Sequence, residues 1–300
     1  MNGVLIINKP MDFTSFDAVA VTRKVSGQRK LGHTGTLDPN ATGVLPVLLG
    51  VATKAQDILP NHDKEYVAEL KFGIKTDTLD IWGRVLTEEK SEITEEAFGK
   101  SLENFRGEIM QVPPMYSALK KDGKRLYDLA RQGIEVEREA RPVTIYKLKA
   151  EGFDEAEQTA KIRVACSKGT YIRSLIDDIG KALGSCAVMT SLCRTNACGF
   201  SLDESISMDE LKSLTPEEIK SKLLPIERLF DTYREVSVSE AQSVRFKNGG
   251  ALGIERLRSL PNDFSQNEVF RVKFQDKFLG LGIIKETELK IYKLLSIQKP

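Results

Sequence analysis

Leu31-Gly-His-Thr-Gly-Thr-Leu-Asp-Pro-Asn-Ala-Thr-Gly-Val-Leu-Pro-Val-Leu-Leu-Gly-Val-Ala-Thr-Lys54 places one carboxylate, Asp38, among residues that dictate backbone shape. Gly32, Gly35 and Gly43 open backbone angles closed to other residues, while Pro39 fixes its own φ and pushes Asp38 toward an extended conformation. His33, Thr34 and Thr36 supply hydrogen-bonding groups on one side of the acid, and the apolar run from Val44 to Val51 on the other side can anchor the loop in a core. A rigid loop presenting one acid suits nucleophilic or acid–base chemistry. The bland alternative is an Asp-Pro turn stapled by glycines, and the surrounding chain has to decide between the two.

Upstream, Val4 to Asn8 reads as a short buried strand that ends at Lys9-Pro10. A helix follows, capped by Thr14 or Ser15, with Phe16, Val19, Ala20 and Val25 at helical spacing and a stop at Ser26-Gly27. Downstream, Lys64 to Phe72 alternates, which predicts a half-buried strand with Tyr66, Ala68, Leu70 and Phe72 facing inward. Thr76 to Gly83 is an acidic turn, and a helix opens at Thr94-Glu95-Glu96 with its acids where the dipole favours them. Strand patterns recur at Val143–Leu148, Lys161–Cys166 and Ala187–Cys193. Between the last two, Ile172, Leu175, Ile176, Ile179 and Leu183 mark an amphipathic helix closed by Gly184, with Tyr171 and Arg173 on its first turn.

The stretch from Pro113 to Arg141 departs from this pattern. From Tyr116 to Ile134 the five cations Lys120, Lys121, Lys124, Arg125 and Arg131 outnumber the two acids Asp122 and Asp128. Such a basic excursion with tyrosines suits phosphates and unstacked bases, or else is a solvated surface loop. Thr215-Pro216-Glu217-Glu218 starts a helix at the edge of a first domain. Beyond Arg234, Ser239-x-x-Gln242 caps a short helix, and strand-like runs at Val269–Phe274, Phe278–Ile284 and Leu289–Leu295 suggest a small β-barrel or open sheet.

Composition sets wider bounds. A chain of 300 residues fits one large domain, or one of about 200 residues with a smaller one attached. Cys166, Cys186, Cys193 and Cys198 lack paired Cys-x-x-Cys spacing, and His33 and His62 are the only histidines, so reduced thiols are expected and a metal site is not. The N-terminus lacks the basic segment and long apolar run of a signal peptide, and no stretch reaches membrane-spanning length, so a soluble cytoplasmic protein is expected. A net charge of +1 leaves nucleic-acid binding open, because a local basic face decides that question.

The string Gly32-His-x-Gly-x-Leu-Asp38-Pro-x-Ala-x-Gly-x-Leu-Pro46 resembles the active-site motif of the TruB family of tRNA pseudouridine synthases, with every fixed position filled. The resemblance implies an α+β pseudouridine-synthase fold: a central mixed or antiparallel sheet flanked by helices over residues 1–234, with an RNA-clamping insertion near 113–141. Residues 235–300 resemble a PUA-type RNA-binding β domain. Lys64-Glu65-Tyr66 matches the family's second motif, whose tyrosine stacks on the target base. Cys166-Ser-Lys-Gly-Thr-Tyr171-Ile-Arg173 looks like the third, where the arginine pairs with the catalytic aspartate and the tyrosine lies in the uridine pocket. By the same resemblance Leu192 lines that pocket, His33 contacts the RNA, and Lys9-Pro10 supports the loop. Asp12 stands where the family usually has glycine.

These correspondences make Asp38 the nucleophile and Arg173 its partner. A guanidinium keeps its proton, and its fork is expected to bind the carboxylate in a bidentate way, holding it ionised. The implied reaction converts uridine 55 in the T loop of tRNA to pseudouridine after base flipping, with the tRNA gripped by Lys120, Lys121, Lys124, Arg125 and Arg131. It involves no net redox change, so neither metal nor organic cofactor is expected, and no obligatory protein partner is expected. Two rivals are the catalytic subunit of a guide-RNA-dependent pseudouridylation complex, against which the lack of long basic tails argues, and a non-catalytic RNA-binding or RNA-folding module. A generic phosphate-binding enzyme finds no Gly-Lys-Ser/Thr or spaced nucleotide fingerprint after a strand.

Overall fold

The computed structural model describes residues 1–296. Strand β1 (Gly3–Lys9) is almost wholly buried, as its apolar residues demand, and ends at Pro10, which has no N–H to donate. Helix α1 (Ser15–Ser26) is opened by a capping box between Thr14 and Asp17 and closed by Gly27 at φ 65°. Its buried stripe is Ser15, Ala18, Val19, Thr22 and Ser26. Phe16, one of the residues at helical spacing, is 68% exposed, because its position falls off that stripe.

Strands β2 (Leu31–His33) and β3 (Thr42–Leu49) pair antiparallel, with His33 opposite Val47, so Asp38 sits in the connection between two buried or half-buried strands. Strand β4 (Lys64–Phe72) shows the expected alternation, with Tyr66, Ala68, Leu70 and Phe72 buried. A hairpin of β5 (Ile74–Thr76) and β6 (Val85–Glu88) follows, then helix α2 (Glu95–Ser101) and strand β7 (Gly107–Gln111). The basic excursion holds a small hairpin, β8 (Lys120–Lys121) with β9 (Lys124–Arg125), and the short helix α3 (Leu126–Arg131).

Strand β10 (Arg141–Asp154) runs well beyond the expected Val143–Leu148, since it pairs with β7 on one side and β11 (Thr159–Cys166) on the other. Helix α4 (Ile172–Ala182) leads into β12 (Ala187–Ala197), which also outruns its expected end at Cys193. Polar Arg194, Thr195 and Asn196 interrupt the apolar pattern there, yet β4 supplies a partner along the strand as far as Ala197. Then come β13 (Phe200–Ser201), β14 (Ile206–Ser207) and helices α5 (Met208–Ser213) and α6 (Pro216–Lys222), the last with the expected Thr215 capping box.

The main sheet has the order β14-β1-β3-β12-β4-β11-β10-β7, with β2 added on β3 and β13 on β12. Its pairs are antiparallel except β1 with β14 and β3 with β12, giving the expected α+β mixed sheet. Along β1, Leu5 and Ile7 meet α1, α5 and α6 on one face. Val4 and Ile6 join a cluster on the other face with Phe230 and Leu281. Helix α4 packs Leu175, Ile176 and Ile179 into the cluster that holds Leu37, Ala41 and Tyr66.

Leu281 belongs to a second sheet of five strands, β15 (Glu235–Ser237), β16 (Leu252–Gly253), β17 (Val269–Phe274), β18 (Lys277–Lys285) and β19 (Glu288–Leu294), ordered β15-β17-β18-β19-β16. Helix α7 (Glu240–Lys247) packs on it through Phe246 and carries the expected Ser239–Gln242 cap. The shared apolar cluster and the pairing of Arg271 and Lys273 with Glu227 tie this sheet to the first.

Candidate active site

The Asp38 loop is held at consecutive residues. The Leu37 N–H donates to Ser15 Oγ at 2.8 Å, the Ser15 hydroxyl returns a bond to Leu37 O, and the Ala41 N–H donates to Asp38 O. Leu37 and Ala41 are buried in the core, which leaves Asp38 with its side chain 45% exposed at the surface of a fixed backbone. Gly43 adopts φ +104°, open to glycine alone at low cost, and a Cβ there would lie 2.2 Å from Arg194 O. Gly32 and Gly35 do not use that freedom. A Cβ on Gly32 would meet Gln56 Oε1 at 2.8 Å, so what that glycine provides is space.

Lys9 is fully buried, and its Nζ donates to the carbonyls of Pro10, Phe13 and Pro39 at 2.7, 2.6 and 3.0 Å. It thus joins the turn after β1 to the residue that follows Asp38. That turn includes Asp12 at φ 61°, a left-handed conformation that aspartate tolerates better than most residues and glycine better still. Burial lowers the Lys9 ammonium to about 8, against the pull of the Asp38 charge.

Arg173 is buried at the start of α4 and reaches Asp38, with Nη2 2.9 Å from Oδ2. The expected bidentate fork is not what is seen. Nη1 donates to Thr78 O and lies 3.6 Å from Asp80 Oδ2, and Nη2 is shared with Tyr116 O, so the guanidinium serves four partners on three segments. Asp80 is the second acid of the cluster. Burial raises its pKa, while the Thr78 hydroxyl and Arg173 oppose the rise. The sequence marks Thr76–Gly83 as acidic without telling Asp77 from Asp80, and only the docking of this turn on β12, through the Ile81 N–H to Met189 O, aims Asp80 at Arg173.

Tyr171 caps α4. Its backbone N–H and C=O exchange hydrogen bonds with the Gln111 side chain, a residue with no distinguishing signal in sequence. Burial raises the Tyr171 phenol, and the Asp38 charge adds to the effect. Tyr66 is more enclosed, and burial pushes its phenol up to about 12, again with Asp38 close enough to contribute. Both rings therefore stay protonated at neutral pH. Leu192 lies on β12 and packs against the cluster that contains Tyr66 and Leu37. His33 is half-buried at the end of β2. Burial, then the Arg194 charge, lowers its pKa, so it stands neutral at neutral pH, and its Nδ1 has no hydrogen-bond partner among the described residues.

Lys120, Lys121, Lys124, Arg125 and Arg131 lie outside this cluster, exposed on the excursion. Arg125 and Arg131 flank the Tyr127 ring at 5.6 and 5.4 Å, and among the described residues none of the five forms an ion pair. The excursion meets the Asp38 cluster at its root, where Tyr116 O accepts from Arg173. The arrangement thus offers one surface acid steered by a cation, two protonated tyrosines within electrostatic reach of it, and unpaired basic groups on an adjoining arm.

Comparison with known proteins places likenesses along most of the chain. A model of the TruB family pseudouridylate synthase N-terminal domain matches residues 23–172, and one of the tRNA pseudouridylate synthase B C-terminal domain matches residues 173–231. A Clostridium tetani protein named tRNA pseudouridine synthase B is 46% identical over 296 residues, 98% of this chain and 100% of that one. A Chromobacterium violaceum protein of the same name is 45% identical over 284 residues, 94% of this chain and 90% of that one. Among solved structures, a chain in a Cbf5–Nop10–Gar1 complex superposes with a TM-score of 0.75 at 25% identity, over 98% of this chain and 85% of that one. An archaeal box H/ACA Nop10–Cbf5 complex shares the fold at a TM-score of 0.74 and 23% identity, over 98% and 86% of the two chains.

Proposed function

The chain belongs to the TruB family of pseudouridylate synthases, and from that premise we propose that it isomerises uridine 55 in the T loop of tRNA to pseudouridine, with Asp38 as the nucleophile. The observation that carries this reading is the 2.9 Å pairing of Asp38 with Arg173 on a loop whose neighbours are all fixed. The target base leaves its stack at a cost of a few kcal/mol, offset by stacking on Tyr66 and by contacts of the basic arm. Tyr171 and Leu192 border the flipped uridine, and His33, being neutral, meets the RNA as a hydrogen-bonding group.

In the pocket Asp38 adds to the uridine, the N1–C1′ bond breaks, the base turns and C5 bonds to C1′; the C5 proton then passes to solvent, N1 takes up a proton from solvent, and the bond to Asp38 is broken before release. One proton leaves and one enters, so the product is an isomer of the substrate with no redox change. Arg173 orients the carboxylate throughout. The domain from residue 235 onward takes the acceptor end of the tRNA. The test is tritium release from tRNA carrying uridine labelled at C5: Asp38→Asn is expected to abolish it, and normal release by that variant would sink the assignment.

One other reading is a catalytic subunit of a guide-RNA-dependent complex, and the chain of like fold is solved together with Nop10 and Gar1. The relatives named tRNA pseudouridine synthase B support the stand-alone form. Pseudouridine formed in a tRNA transcript by the purified chain alone is the expected result, and a requirement for guide RNA or accessory protein would reverse the choice.

A further inference from the structure

Arg194 is the largest fully buried side chain among the described residues, with no exposed surface. Arginine does not shed its proton in a protein, so this is a permanent charge in the interior, tolerable only if its donors are satisfied. Backbone carbonyls take three of its five N–H groups, and the Tyr66 side chain is a further hydrogen-bond partner. Nε donates to Val44 O at 2.7 Å, Nη1 to Thr36 O at 3.3 Å and Nη2 to Gly35 O at 3.2 Å. Among the described residues no carboxylate pairs with it, unlike Arg173, Arg163 or Arg271.

Those three carbonyls bracket the nucleophile, two on the chain before Asp38 and one on the strand after it. The backbone of Arg194 is as constrained as its side chain. It stands opposite Tyr66 on β4 and beside Gly43 on β3, and the positive φ of Gly43 leaves just enough room for Arg194 O. One residue therefore touches the nucleophile loop through its fork and borders the proposed stacking tyrosine through strand register. Because carbonyls rather than an acid receive the fork, its charge is not cancelled, and it lowers the proton affinity of Lys9, His33 and Tyr66 around it. A structural arginine would gain more from a carboxylate. Three separate nitrogens of one planar group hold three carbonyls on two segments at fixed directions, whereas an ammonium at this position would offer a single nitrogen for all three.

We propose that Arg194 is a positioning residue for the isomerisation, setting the separation between the Asp38 carboxylate and the base stacked on Tyr66 by gripping Gly35, Thr36 and Val44 from a strand position facing that tyrosine. The inference rests on the reading of Asp38 as nucleophile and Tyr66 as stacking residue.

Arg194→Lys keeps the charge and loses the fork. It is expected to fold, to bind unmodified tRNA with a Kd within about twofold of wild type, and to slow the single-turnover rate about 100-fold, the scale of an ångström-level misplacement. Arg194→Met, which loses charge and fork together, is expected to be slower still. Thr195→Val, on the next residue of β12 and directed to Glu65, is the control and is expected to leave the rate unchanged. A wild-type rate in Arg194→Lys, a loss confined to Kd, or a collapse of its native circular dichroism would each overturn the proposal, the last by making the residue one of folding alone. Asp38→Asn measured alongside separates the two levels. Activity there sinks the reading of the site, whereas an inactive Asp38→Asn with a fully active Arg194→Lys sinks only the positioning role.

Discussion

The Asp38 loop and the basic arm use the same residue types in opposite ways. Around the loop, Lys9, Arg173 and Arg194 are buried, with donors on backbone carbonyls and, from Arg173, on Asp38 itself. On the arm, Lys120, Lys121, Lys124, Arg125 and Arg131 are exposed, and the backbone beneath them is held by a small cluster of Met115, Leu126 and Leu129. Burial, rather than charge, separates the roles. A buried cation must be fully hydrogen-bonded and so dictates shape, while an exposed one stays available to phosphates. The loop is built to hold one geometry and the arm to meet a partner.

The sharpest way to break this contrast is to remove the one group both regions share. Arg173→Met deletes the partner of Asp38 and the donor to Tyr116 O. The single-turnover rate is expected to fall about 1000-fold, as for loss of a pre-organised donor at a reacting centre, with tRNA affinity weakened as the root of the arm loosens. A rate within tenfold of wild type would show that the pairing is incidental. Asp80→Asn is gentler, because it keeps a polar group beside Thr78 and removes only the second charge facing Arg173. About a tenfold fall in rate with unchanged tRNA binding is expected, the scale of one charge-assisted hydrogen bond. Unchanged rate and binding would confine Asp80 to the turn.

On the arm the expected split is reversed. Replacing Lys120, Lys121 and Lys124 by alanine should weaken tRNA binding and flatten the dependence of log Kd on log salt by about 0.7 to 0.9 for each phosphate deprived of its cation. The rate at saturating tRNA is expected to stay within about twofold of wild type, since none of the three touches the Asp38 cluster. A slowed chemical step with an unchanged salt slope would place these cations with the loop instead.

Sequence makes the scaffold legible where the signal is local. Alternation from Lys64 to Phe72 shows which way Tyr66 faces, Thr14 and Gly27 delimit a helix, and the spacing from Ile172 to Ile179 shows the buried side of another. The site is less legible, because its contacts join distant segments. Arg173 meets Thr78, Tyr116 and Asp38, Gln111 meets Tyr171, and Arg194 meets Gly35 and Val44, and no periodicity encodes such meetings. Glycines mislead in a related way. Gly32 and Gly43 look alike in sequence, yet one leaves space for Gln56 and the other takes a left-handed φ. Arg194 left no such trace: it falls just past the apolar alternation that ends at Cys193, beside polar Thr195 and Asn196, and is readable as part of a site only once its fork has a target.

The smallest expected effect tests whether the buried cations carry the energetic penalty the contrast assumes. Lys9 faces Asp38, Arg194, Asp12 and Asp17, and burial outweighs the acids to bring it from 10.5 to about 8. Below pH 8 both the folded and the unfolded chain hold its proton, and the folded state bears the full penalty. Between about 8 and 10.5 the unfolded chain still binds the proton that the native state has lost, so this residue makes stability rise with pH across that window. Lys9→Met has no proton to lose. The wild type minus Lys9→Met difference in unfolding free energy, from urea titrations at pH 7.5 and pH 9.5, is therefore expected to shift in favour of the wild type at the higher pH. The neutral amine also has two N–H groups for three carbonyls, and the longest of the three bonds, to Pro39 O, is the one expected to go. Wild-type single-turnover rate should then decline over the pH range in which that stability difference grows. A stability difference independent of pH would mean that Lys9 keeps its charge in the interior without penalty, and that its three carbonyls solvate it as well as water does.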